Sequence, residues 1–366
     1  MSASAPVPAS SSRPRGSLLS DHGGRLPELF GRDTAFLGWQ GITLSMPRDW
    51  HLAAFGGDYF KGNLRVVDDT GARMEIVWEQ PKSTPDVARS VTMLLKNIER
   101  EAKRKKHQFE TLDNPKLLSR IRREHSDKDQ LTNFGWIGDK EQPVAHGFGA
   151  AWHCPKSDRV IVVHFLGRGN ESPDKTRRLA GEILGSCSTH AEGGWQFWSV
   201  FDLQLEVPEE FHLVGAKLQT GRLEFDWERL QKPDMTAFLA PKNWGRRPER
   251  IGLRRLSAAN VVLENESLED WSRRVAAHIF KPFRLGKPEV REVLSRDGYA
   301  MKATLKDLRR EVRARFCDLL LRRPNSLAEA LVWQDEEANK IFVLLTALRN
   351  ENAHVRGDVL NSIASQ

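Results

Sequence analysis

Apolar and polar residues alternate along Ile42-Thr43-Leu44-Ser45-Met46, the pattern of a strand with one buried face, and Pro47 stops it. Residues 64–67 and 72–78 flank the turn-forming quartet Asp68-Asp69-Thr70-Gly71, which reads as a β-hairpin. The period then lengthens: Val87, Val91, Leu94, Leu95, Ile98 and Ala102 share one face of a helix, with Ser83 or Thr84 as its cap and Pro85 in its first turn. Residues 149–152 and 159–165 form a second hairpin around Cys154-Pro155-Lys156-Ser157-Asp158. The unbroken apolar run Val160-Ile161-Val162-Val163 predicts a central strand covered on both faces, followed by a helix over about 174–187.

The same order of signals returns further along. Leu203-Gln204-Leu205-Glu206-Val207-Pro208, then Phe211-His212-Leu213, echoes residues 42–47 and Trp50-His51-Leu52 at an offset of 161. Residues 62–66 are echoed by 221–225 at 159, and Trp152 with the strand at 159–163 by Trp333 and 340–344 at 181. Residues 181–186 are echoed by 357–362 at 176. Ser267, with Asp270 three residues on, starts a matching helix whose buried stripe is Leu268, Trp271, Val275 and Ile279. A closing hairpin and a helix over about 352–364 complete the second set. Four echoes in one order predict a duplicated domain, with units at 34–190 and 195–366 behind a flexible tail at 1–33 rich in Ala, Ser and Pro. Each unit is long enough to bury a core of its own. Residues 110–145 and 282–328 mix the two periods: Glu311-Val312-Arg313-Ala314-Arg315-Phe316 alternates like a strand, whereas Leu305, Leu308, Val312 and Phe316 fit a helix. Strands joined by hairpins with helices between them predict an α+β class, an antiparallel sheet packed by helices in each unit.

Composition narrows the function classes. The chain has 366 residues, 29% charged and 39% hydrophobic, and no apolar run approaches the ~20 residues of a membrane span. The N-terminus has no apolar signal-peptide core, so a cytoplasmic location is expected. Cys154, Cys187 and Cys317 have no metal-ligand spacing, and Cys154 in its hairpin turn is expected to be the exposed one. Net charge is +7, but the excess is spread: residues 1–190 hold 28 Lys+Arg against 23 Asp+Glu, and residues 191–366 hold 28 against 26.

The opening strand Ile42-x-Leu44-x-Met46-Pro47 with Trp50 behind it, then a hairpin, a helix, a closing strand pair and a last helix, resembles the PsbP-like α/β/α sandwich. That group includes photosystem extrinsic proteins, a Ran-binding nuclear import factor and small bacterial proteins, some of them secretion-effector chaperones. The resemblance implies two tandem helix-packed sandwiches that bind partners and do not catalyse. It carries no ligand residue across.

Lys103, Arg104, Lys105 and Lys106 end the first long helix, and Arg313 and Arg315 would share one face of a strand; both groups are candidates for contact with a polyanion or an acidic partner. Trp195, Phe197 and Trp198 fall between the units and are candidates for packing them together. His51 and His212 recur after the first strand of each unit, where a structural role is expected. The sequence contains no zinc-ligand spacing, phosphate loop or Gly-x-Ser-x-Gly, and no catalytic residue, metal or cofactor is expected. The first reading is therefore a binding, adaptor or chaperone-like protein that holds a protein partner. Nucleic-acid or polyanion binding is the alternative, and an enzyme with an unfamiliar site between the units is the third.

Overall fold

The computed structural model describes residues 26–113, 115, 117, 131–229, 249–276, 279, 280, 283–305, 326–349 and 352–365. The hairpin β1 (Thr34–Trp39) and β2 (Ile42–Pro47) meets the hairpin β10 (Trp195–Val200) and β11 (Leu203–Pro208) edge to edge. With β20 (Ala364–Ser365) they make a five-stranded sheet in the order β2-β1-β10-β11-β20. A second sheet holds β3 (His51–Gly57), β4 (Lys61–Asp68), β5 (Gly71–Glu79), β6 (Phe109–Leu112), β7 (Thr132–Gly138), β8 (His146–Cys154) and β9 (Arg159–Gly167), ordered β3-β4-β5-β9-β8-β7-β6. The third holds β12 (Phe211–Gln219), β13 (Arg222–Arg229), β14 (Arg250–Ser257), β15 (Phe283–Leu285), β16 (Glu289–Val293), β17 (Arg296–Leu305), β18 (Ser326–Asp335) and β19 (Lys340–Arg349). Its order is β12-β13-β14-β19-β18-β17-β15, with β16 also on β17. Strand for strand, the two large sheets follow one path.

The echoes fall on matching places. Trp152 pairs with Ile161 across β8 and β9, and Trp333 with Phe342 across β18 and β19. The edge strand of each sheet carries a register shift at the same point, between Leu52 and Ala54 in β3 and between Leu213 and Gly215 in β12. Such bulges bend an edge strand away from further pairing. Ser186, after helix α2 (Pro173–Gly185), accepts from Ser45 N at 2.9 Å, and Ser362, at the end of the last helix (His354–Ser362), accepts from Glu206 N at 2.9 Å. Each hydroxyl also donates to the carbonyl three residues back, at 2.7 Å. One serine device thus meets the outer strand of each hairpin, β2 and β11.

The expected α+β class is overturned, and with it the helix-packed α/β/α sandwich: the chain is mostly β, in large antiparallel sheets. The reason lies in what covers the apolar faces. One continuous core takes in Trp39 and Leu44, Trp78 and Trp152, Trp198, Trp227 and Trp333, so sheet packs on sheet through aromatic residues. Helix α2 adds Ala180, Ile183 and Leu184 to that core and the last helix adds Val355 and Val359. Helix α1 (Val87–Arg104) packs elsewhere, laying Val87 and Val91 against Phe134 and Ala151, with Val160 and Val162 beside them. Strand β9 is thereby central in its sheet and apolar on both faces. The cap of α1 is Asp86, which accepts from Arg89 N, in place of Ser83 or Thr84.

Each half buries a cluster of its own, around Phe134 in the first and Trp271 in the second, and a further, larger cluster running from Leu37 to Val359 is shared. The ambiguous middle segments, among the described residues, hold strands β6 and β7 and strands β15 to β17, and no helix. The helix expected from Ser267 is α-helical over Leu268–Trp271 and continues as a π-helix over Ser272–Ala276, with Ser267 capping it through Asp270 N at 3.1 Å. Residues 306–325, with Arg313 and Arg315, lie outside the described residues.

Candidate functional site

The tip joining β16 to β17 is the two-residue turn Leu294-Ser295, between the paired Val293 and Arg296. Both turn residues have positive φ, 53° and 60°. That conformation suits hairpin twist but is ordinarily given to Gly or Asn, because a Cβ crowds the following carbonyl. Opposite this tip stands the turn between β18 and β19, Glu336-Glu337-Ala338-Asn339, between the paired Asp335 and Lys340. The two turns frame a cavity of about 670 Å³ reaching Leu268, Asp297, Tyr299 and Gln334. An adjoining cavity of about 450 Å³ shares Leu294, Arg296, Asp335 and Glu337 with it and runs on to Trp333, Phe342, Ile363 and Ala364.

One side of this groove is apolar and the other acidic. Trp333 and Phe342 stack at 5.2 Å between ring centroids on the apolar side. Asp335 is committed, since it accepts from Arg296 Nη2 at 2.9 Å and from Ala338 N at 3.1 Å. Asp297, Glu336 and Glu337 are exposed and have no ion pair among the described residues. Exposed carboxylates beside an apolar wall suit a Lys or Arg side chain with an apolar neighbour, in the manner of a pocketed anchor with a polar rim. The groove lining includes no His or Cys. Among the described residues no group of three or more His, Cys, Asp and Glu is placed to hold a metal ion.

The residues singled out from the sequence are dispersed. Lys103 and Arg104 pair with Glu99 and Glu101 at 2.6 Å each on the exposed end of α1, beside exposed Lys105 and Lys106. Trp198 is buried in β10, its ring edge-on to Trp39 of β1 at 5.4 Å and to Trp227 of β13 at 5.3 Å; Trp195 and Phe197 are half-buried on the same strand. The two recurring histidines differ: His51 is exposed, whereas His212 packs against Tyr59 at 4.4 Å and Phe60 at 5.8 Å. Cys154, expected to be exposed, is fully buried, because it closes β8 opposite Arg159 and lies under the segment that leads from α2 to β10. The cavity lies at one end of the third sheet and not between the halves. The groove itself was missed from the sequence. Its signal was a difference between echoes: where the first closing turn reads Pro155-Lys156-Ser157, the second reads Glu336-Glu337-Ala338.

No protein-family model and no curated protein matches the sequence. Among solved structures, the chain is similar to the immunity protein TplEi of the type VI secretion system of Pseudomonas aeruginosa, complexed with "L" peptide. The identity is 12%, the TM-score 0.30, and the match covers 91% of this chain and 97% of that one. The apo form of TplEi matches at 10% identity and TM-score 0.26, covering 91% and 96%. A chain of the Tle4–Tli4 complex matches at 12% and 0.26, covering 91% and 98%. Likeness at these TM-scores is too slight to carry an argument about fold or partner. Among the described residues no helix is long and apolar enough to cross a membrane.

Proposed function

We propose that this chain is a protein-binding module that holds an extended, basic segment of a partner without catalysing a reaction on it. The observation that carries the reading is the groove between the Leu294-Ser295 tip and the Glu336-Glu337 turn, acidic on one side and apolar on the other. We further read residues 34–190 and 195–366 as copies of one module, in keeping with the common strand path, the matched bulges and the paired serines. On that reading the groove arose where the copies diverged. TplEi was solved with a bound peptide and Tli4 in complex with Tle4, and partner-holding there agrees in kind with a reading that rests on the groove. Work in the reducing cytoplasm is part of the proposal, in keeping with Cys154 and Cys187 outside any disulfide.

The test is an array of extended peptides with and without Lys or Arg next to an apolar residue. The wild type retains the basic members, and raising salt weakens them. The triple variant Asp297→Lys, Glu336→Lys, Glu337→Lys loses affinity by at least about tenfold, equivalent to ~1.4 kcal/mol. Unchanged binding in the triple variant would remove the groove from the account.

A further inference from the structure

Arg159 is fully buried, yet no carboxylate pairs with it among the described residues. Its Nη1 donates to Gln40 O at 2.9 Å and Tyr59 O at 3.1 Å, its Nη2 to Thr189 O at 2.9 Å, and its guanidinium lies 4.3 Å from the centre of the Tyr59 ring. Carbonyl dipoles and a ring face ease the desolvation of a guanidinium, but a buried cation ordinarily needs a full negative charge nearby. The corresponding place in the third sheet has one: Lys340 reaches Asp202, in the turn between β10 and β11, at 2.6 Å.

Cys154 is the register partner of Arg159 at the end of the β8–β9 hairpin, and a directly opposite pair points to one face. Its Sγ lies 3.6 Å from His190 Nδ1, and the far side of that ring, Nε2, lies 3.2 Å from Lys156 Nζ. An ammonium can only donate, so Nε2 accepts, Nδ1 carries the proton, and that proton points at the sulfur. The buried hydroxyls of Ser157 and Thr189 have no hydrogen-bond partner of normal geometry, and both lie near enough to the sulfur to favour its charged form. An anionic sulfur accepts the His190 proton and attracts both hydroxyls, and a neutral thiol does so only weakly.

We infer that Cys154 is carried as a thiolate, the buried counter-ion of Arg159, and that through His190 it clasps the segment joining the two halves, so that proton uptake by this sulfur loosens the seam. Burial pushes the Cys154 thiol up, and the donors of His190, Ser157 and Thr189 overcome it, bringing the group down to about 6. Cys187, buried nearby, goes the other way, to about 12, by burial and then by the charge on Cys154. Around the cluster, burial raises Tyr59, and burial followed by the charge of Arg159 lowers His212 to about 4. Asp158, which pairs with His153 at 3.1 Å, is held low by Gln80 and His153. A group whose folded value lies below its unfolded value stabilises fully above the unfolded value, about 8.5 for a thiol, and that contribution fades as pH falls through about 6. Stability therefore rises between these limits.

The test uses the full chain labelled with ¹³Cβ-cysteine, the Cys154 resonance being assigned by its loss in Cys154→Ser. The expected result is a thiolate shift at pH 8 that moves to the thiol position with a midpoint near 6. Between about pH 7 and 8.5, above the range where the lowered histidines His146, His164 and His212 act, the urea midpoint of the wild type and of a Cys187→Ser control rises with pH, and that of Cys154→Ser does not. A thiol shift persisting at pH 8, or an equal pH slope in Cys154→Ser, overturns the inference. If Cys154→Ser does not fold, Cys187→Ser and Cys317→Ser assign the other two resonances, the remaining one is Cys154, and the titration alone decides.

Discussion

Trp198→Ala lowers the stability of the whole chain by ~3–5 kcal/mol, the range for truncating a buried tryptophan, read as a shift of the urea midpoint at unchanged slope. The indole sits where the two hairpins of the five-stranded sheet meet the large sheets. It is edge-on to Trp39 of β1 and Trp227 of β13, and 6.3 Å from Phe225. Cutting it to a methyl opens a cavity between elements of both halves, which rigid strand pairs cannot collapse to fill. Trp198→Phe is the control. The buried indole N–H makes no hydrogen bond, so the phenyl ring keeps most of the packing and loses no partner. A cost for Phe equal to that for Ala would show that the ring's place at this seam is not what stabilises it.

Gly38→Val is the second large effect and acts on the backbone. Gly38 is the residue of β1 registered with Ser199 of β10, the contact that fuses the two hairpins. A Cβ there would stand 2.6 Å from Phe197 O and 2.7 Å from Ser199 N. Both are main-chain atoms of a paired strand, so no side chain can swing aside and the strands must separate. The expected loss is about 3 kcal/mol or more, above the usual cost of overpacking, because strand pairing is broken as well. Gly71→Val serves as the comparison for local backbone strain: Gly71 has φ 146° with open space where a Cβ would stand, so strain alone acts there. A smaller effect at Gly38 than at Gly71 would argue against the junction.

Much of this architecture was legible in the chain because periodicity and turn chemistry are local. The hairpins at β4–β5, β8–β9 and β18–β19 follow from alternation bounded by turn residues, and Val160–Val163 declared a strand with no solvent face. The class was misread because alternation does not say what covers a sheet. The tryptophans at 39, 198 and 227 look like ordinary core positions in isolation, and only their convergence replaces helices with a second sheet. Cys154 was misplaced for a similar reason. A residue next to a turn is exposed unless something distant lies over it, and here His190 does. The groove depends on two turns far apart in sequence, so neither could announce it. The acidic turn was visible only as a departure from its echo, and its meaning came from the tip opposite.

Through the joined hairpins the two large sheets share one core. The most direct test of that sharing is to produce residues 26–193 and 194–366 as separate chains, cut within the exposed Gly193-Gly194 turn, and to follow tryptophan fluorescence in urea. The shared core predicts that neither chain alone gives a cooperative transition, and that mixing them restores one. Two separate, fully cooperative transitions from two soluble monomers would contradict it.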